Sequence, residues 1–259
     1  MTMRRRIVIT GASRGLGAAL AHAFAGPATT LILCARSPDD LDALAPALRA
    51  KGADVICCPV NVSDPVAVSA WMAQLWEAAP VDLAVFNAGL FAGRDPAGHL
   101  ESPADAAGLI TTNLIGAIAP ALILTERMRR RGSGQMLFIS SLAAFGPQAD
   151  APSYSASKAG LTAFARALRE DLAPNGVRVA IAHPGHIRTD QTARHIGSLP
   201  GLIPAERAAA IILAGLRKGR SEISFPWHLR LALGLVSVLP WRWQARLTAR
   251  FRFVVRPLD

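Results

Sequence analysis

Several things are scarce in this chain, and each scarcity excludes something. Its 259 residues contain one tyrosine, Tyr154, and three cysteines, Cys34, Cys57 and Cys58. Three thiols are too few for a disulfide scaffold; all sit in apolar segments and read as buried free thiols of a reducing compartment. No spacing of Cys and His resembles a zinc site. After Arg4, Arg5 and Arg6 only Ile7–Thr10 precede Gly11, too short for the apolar region of a secretion signal. No apolar run reaches the roughly 18 residues of a membrane span. The longest candidate, Leu229–Leu239, is broken by Arg230 and followed by Pro240. A cytoplasmic location is the expectation.

Acids are scarce as well, 18 against 28 Lys and Arg, for a net charge of +10. The shortage is local. Residues 217–259 hold nine basic residues against Glu222 and Asp259, a net +7, which leaves +3 for the first 216. The body is therefore ordinary in charge, and the tail needs its own explanation.

Apolar residues, at 51%, are plentiful enough to exclude general disorder. Short β-rich apolar runs recur at Arg6–Thr10, Thr30–Ala35, Asp54–Pro59, Asp82–Phe86, Gln135–Ser140, Val177–Ala182 and Glu222–Phe225. Several lack polar alternation, as strands covered on both faces do. Helical patterns fall between them, at about 15–25, 39–50, 65–78, 102–130, 153–173 and 204–216. Asp64-Pro65 marks a helix start, and Asn175-Gly176 a stop. The alternation predicts an α/β fold, one doubly wound parallel sheet of about seven strands with helices on both faces. It would occupy residues 1–226, with 227–259 as an apolar and basic extension.

The first strand runs into Thr10-Gly11-Ala12-Ser13-Arg14-Gly15-Leu16-Gly17 and then a helix. Glycines let backbone approach a pyrophosphate, and the helix start offers unpaired N–H groups to the anion. Further on, Tyr154 and Lys158 stand four residues apart on one helix face, thirteen residues after Ser141 at the end of a strand. A free phenol ionises near pH 10, and a neighbouring ammonium favours the phenolate.

The Gly-x-x-x-Gly-x-Gly spacing, together with these residues, resembles the short-chain dehydrogenase/reductase family over roughly residues 5–225. That resemblance implies a catalytic set in which Ser141 holds the substrate oxygen, Tyr154 exchanges its proton, and Lys158 holds the nicotinamide ribose and lowers the Tyr154 pKa. Asn113 would support a water-mediated proton relay. It places Gly11, Ser13, Arg14, Gly15, Leu16 and Gly17 on the cofactor phosphates. Asn61 and Val62 would stand by adenine, where the family usually has aspartate first. Asn87, Ala88 and Gly89 match the family's Asn-Asn-Ala-Gly motif, with Phe86 replacing its first asparagine. Pro184, Gly185, Ile187 and Thr189 would approach the nicotinamide carboxamide. Arg36 ends the second strand, where an acid would hold the ribose of NAD; with Arg14 it favours the 2′-phosphate of NADP(H).

The implied activity is reversible interconversion of a carbonyl and a secondary alcohol by an NADP(H)-dependent oxidoreductase. Leu90, Phe91, Leu142, Phe145 and a loop carrying His195, Ile196, Leu199, Leu202 and Ile203 suggest an apolar ketone or acyl substrate. The alternative, a nucleotide-binding regulatory or scaffold protein, would show a damaged catalytic set, and this set is intact. Nucleotide-sugar epimerases expect a different glycine spacing. By resemblance the enzyme is a homodimer or homotetramer built through the helices at 102–130 and 153–173, with Ala156, Ala159, Gly160 and Ala163 permitting close contact.

In the tail, Arg242, Arg246 and Arg250 recur beside Trp243, Leu247 and Phe251, the pattern of a helix with a basic and an apolar side over Trp241–Arg256. Two readings stay open: packing over the substrate site or a partner subunit, and peripheral contact with an anionic membrane. No recognition motif accompanies the charge, so nucleic acid is not an expected partner.

Overall fold

The computed structural model describes residues 5–256, and for Arg250 the backbone only. Arg4, Asp259 and the outer ends of both expected segments lie outside that range. Six strands, β1 (Arg5–Thr10), β2 (Thr29–Ala35), β3 (Asp54–Pro59), β4 (Leu83–Phe86), β5 (Gly134–Ile139) and β6 (Val177–Pro184), are followed by three two-residue strands. These are β7 (Ile187–Arg188), β8 (His195–Ile196) and β9 (Ile203–Pro204), and then come β10 (Glu222–Phe225) and β11 (Val254–Val255). Seven of them form one parallel sheet in the order β10-β6-β5-β4-β1-β2-β3.

Alternate residues of each strand feed opposite layers. Ile7, Ile9, Leu31, Leu33, Val85 and Leu137 face helices α1 (Gly15–Phe24), α2 (Pro38–Arg49) and α8 (Ala205–Arg217). Val8, Ile32, Ala84, Phe86, Met136 and Phe138 face α3 (Pro65–Ala78), α5 (Gly116–Arg131) and α6 (Pro152–Leu172). Burial on both sides explains why these strands read as unbroken apolar runs. Proline follows a capping side chain at the starts of α2, α3 and the short α4 (Pro103–Ile110), where Ser37, Asp64 and Ser102 accept the first backbone N–H groups.

The structure corrects four expectations. The helix at 102–130 is α4 and α5 joined by one wide turn, Thr111–Ile115, which carries Asn113 inward to full burial. As one helical stretch, Pro103–Arg131 is long and apolar enough to cross a membrane. Here Leu109, Leu124 and Met128 are buried in the body of the protein. Cys57 and Cys58 are only half-buried, because β3 is the sheet edge and pairs with β2 alone; Cys34, on β2, is fully buried.

The fourth correction is the tail. After the cis Phe225–Pro226 bond come α9 (Trp227–Ser237) and α10 (Trp241–Thr248), the latter ending far short of Arg256. A tight turn at Ala249–Phe251 leads into β11, which pairs antiparallel with β8. Extension wins over helix because the Phe253 N–H donates to the buried Asp150 carboxylate at 3.1 Å and the Val255 N–H to the Arg94 carbonyl at 2.7 Å.

Candidate active site

Strand order reverses between β1 and β4, and a crevice opens at the carboxyl ends of the strands there. The cleft has a volume of about 740 Å³. Every predicted catalytic and cofactor residue lines it except Asn113, which sits behind the wall; of the apolar substrate pocket, Leu90, Phe91, His195 and Leu199 line it, whereas Leu142, Phe145, Ile196, Leu202 and Ile203 do not.

The glycine loop is held by contacts that a side chain would break. A Cβ on Gly17 would lie 1.9 Å from the Gly11 carbonyl oxygen, and one on Gly11 would lie 2.7 Å from the Ala88 Cα, with Gly11 already at φ +64°. Thr10 and Asn87 brace the loop from below. The Thr10 hydroxyl accepts from the Asn87 and Ala88 N–H groups at 3.0 and 3.1 Å, and the Asn87 amide donates to the Thr10 and Gly11 carbonyls. Asn87, assigned to the cofactor from sequence, lines the cleft, and its side chain fixes the loop. Phe86, in place of the family's asparagine, stacks on Phe138 at 4.7 Å.

Unlike α2, α3 and α4, helix α1 has no side-chain cap and no acid in its first turn. Its first N–H groups and dipole therefore face the cleft without a competing carboxylate. Arg14 borders this end, 3.9 Å from Asp190, and Arg36 follows β2. The uncapped helix start, the Cβ-intolerant loop and the two arginines fit a dinucleotide pyrophosphate and an added phosphate.

At the other end, α6 carries Tyr154 and Lys158. Lys158 is 5% exposed; its ammonium donates to the Ile139 carbonyl at 2.9 Å and lies 5.8 Å from the Tyr154 ring centroid. Burial lowers it to about 8. Burial raises the pKa of the Tyr154 phenol, and the Ser141 side chain, which lines the cleft with it, only partly offsets the rise. The direction is opposite to the lowering expected of the Tyr-Lys pair, because burial dominates and the ammonium donates to the Ile139 carbonyl. Asn113 joins three segments: its oxygen accepts from Leu90 N–H at 2.7 Å, and its amide donates to the Leu90 carbonyl and Ser157 hydroxyl.

One wall is aromatic. Phe91 meets Tyr154 edge-on at 4.9 Å, and Phe253 stacks on His195 at 4.5 Å and on Phe91 at 6.1 Å. Asp150, almost wholly buried, anchors this wall through Arg94 at 2.8 Å and Arg252 at 2.9 Å. Burial pushes its carboxyl up, but the Arg94 bond, the Phe253 N–H and the two positive charges hold it below the usual range. Burial beside His186 keeps His195 below the usual histidine value. Phe253, Asp150 and Thr10 carry no motif signal; the polar Thr10 at the end of an apolar strand was the one hint. The described residues contain no cluster of three or more metal-ligating side chains.

The model of the short chain dehydrogenase family matches residues 5–196. The chain belongs to that family. As a short-chain dehydrogenase it is an oxidoreductase, of a family that binds a nicotinamide cofactor. An uncharacterized oxidoreductase of Myxococcus xanthus (strain DK1622) is 35% identical over 237 residues, covering 91% of this chain and 93% of the relative. Ketoacyl reductase HetN of Nostoc sp. is 32% identical, covering 84% and 72%. Among solved structures, a short-chain dehydrogenase from Sphingobium yanoikuyae in complex with NADPH is 26% identical, with TM-score 0.79, over 95% of this chain and 93% of that one. In this short-chain dehydrogenase the family match ends at Ile196, before α8, while the Sphingobium structure matches 95% of the chain.

Proposed function

We propose that the chain is an NADPH-dependent reductase of an apolar ketone or ketoacyl group. The single observation that carries the reading is that one cleft brings Ser141, Tyr154 and Lys158 together, with an uncapped helix at its far end and Phe91 and His195, backed by Phe253, as its near wall.

Gly11–Gly17 would hold the pyrophosphate, Asn61 and Val62 the adenine side, and Lys158, Gly185, Ile187 and Thr189 the nicotinamide end. Arg36 and Arg14 would grip a 2′-phosphate through charge-assisted bonds. The nicotinamide, when bound, supplies the hydride. The chain's own part is orientation and proton transfer: Ser141 positions the substrate oxygen, and Tyr154 gives it the phenolic proton. A phenol whose pKa is raised keeps that proton through the neutral range, which suits donation to a carbonyl better than abstraction from an alcohol. Lys158, poised near 8, can pass a proton back toward Tyr154. The NADPH complex of the Sphingobium relative and the ketoacyl activity named for the Nostoc relative support the cofactor and substrate class.

The test is NADPH oxidation followed against a panel of apolar ketones and acyl thioesters. We expect turnover with NADPH well above that with NADH, and no turnover with either would overturn the reading.

A further inference from the structure

We propose that α9 and α10 form a docking surface for an anionic lipid bilayer. Neither helix has a buried residue. Trp227, Leu231 and Leu235 of α9, with Val238 just beyond its end, fall on one stripe and are 72, 56, 63 and 80% exposed. The opposite side seats the helix: Arg230 lies 3.5 Å over the Phe145 ring, and Leu233 packs where Gly146 leaves room. The stripe is thus the face left over after α9 has made its contacts with the body. Helix α10, which follows α9, also exposes Trp241, Trp243 and Leu247, beside Arg242 and Arg246.

Charge selects the occupant. From Ile223 to Leu258 there is no Asp or Glu, against six arginines. Two copies meeting through this face would set one acid-free segment against another. A bilayer carrying anionic headgroups takes both components together. Leucine and valine enter the acyl boundary, tryptophan rings lie at the interface, and arginines reach back to phosphate. The stripe has no carboxylate or amide that a protein partner would have to satisfy.

The position of the surface gives it a use. Helix α9 leaves the carboxyl end of β10, and Pro226 would touch a Cβ added to Gly185 at the cleft, so the docked face lies next to the site. A carbonyl compound dissolved in the bilayer is the substrate class such placement serves. That use rests on the reductase reading; the docking does not.

The test uses the full chain, sedimented with phosphatidylcholine vesicles with and without a third of phosphatidylglycerol, at low and high salt. We expect binding to the anionic vesicles to exceed that to neutral ones by roughly tenfold or more and to fall with salt, with a blue shift of tryptophan emission. Leu231→Glu with Leu235→Glu, and separately Arg242→Glu with Arg246→Glu, should each cut binding by roughly tenfold while circular dichroism and NADPH affinity are kept. Equal binding to both vesicle types, or variants that bind like the parent, would overturn the proposal. So would a dimer in light scattering that the same substitutions dissociate, with no vesicle binding. Turnover of a water-soluble ketone by the non-binding variants separates failure of docking from failure of the reductase reading.

Discussion

A single phenol carries the proposed chemistry, and being the only tyrosine it can be followed without interference. Tyr154→Phe is expected to keep NADPH affinity and lose on the order of 10²–10⁴ in turnover, measured by fluorescence binding and steady-state rates. Because burial raises the pKa of this group, the parent's tyrosine absorbance should titrate above pH 10 in the folded chain. At the adenine end, Arg36→Asp should weaken NADPH by about tenfold to a hundredfold, the equivalent of about 1.5–3 kcal/mol for a hydrogen bond to a charged group, and leave NADH little changed. Equal losses for both cofactors would remove Arg36 from phosphate recognition. Burial pushes the Cys34 thiol, which lines the same cleft, up to about 12, so it should resist alkylation at neutral pH.

Elements bring together what residues alone do not. Burial works against ionisation of Glu222 on β10, but bonds from the fully buried His183 of β6 and from Arg166 of α6 hold its carboxyl at about 2. A depressed acid stabilises the fold above its unfolded value, here 4.5, and that contribution is lost as pH falls from there through about 2. Melting curves across that window should converge for the parent and Glu222→Gln; a constant gap would refute the linkage. Strands β6 and β10 were each readable from sequence as short runs at regular intervals, but their pairing was not. Nor was the cluster, since His183 and Glu222 are 39 positions apart and only the sheet order makes them neighbours. The same contrast divides the site. Local motifs placed Gly11, Ser141, Tyr154 and Lys158 in one cleft, whereas the Phe253 strap depends on Asp150, which no spacing rule connects to the tail. Asp150→Asn should cost about 1–3 kcal/mol, less than for a fully enclosed pair because Arg252 reaches water. It should raise the KM of an apolar ketone more than that of NADPH.

The molecule as a whole is built on one sheet. Successive residues of the same strands supply both apolar layers, so neither layer can melt while the other stays. Urea unfolding of the body is expected as one transition, with far-ultraviolet circular dichroism and the emission of the buried Trp71 changing together; separate midpoints would show that the layers are independent. The exposed Trp227, Trp241 and Trp243 should report a solvent-like spectrum before any unfolding begins.

The aromatic strap has a further consequence in time. Phe91 and Phe253 meet in the wall beside Tyr154 although one is at position 91 and the other at 253. At typical synthesis rates, about 5–20 residues per second, the interval between them is roughly 8–30 s. During that interval the wall beside Tyr154 lacks its outermost ring. The far end of the chain is thus the last part of the reaction chamber to be made, and closure around a substrate waits for it.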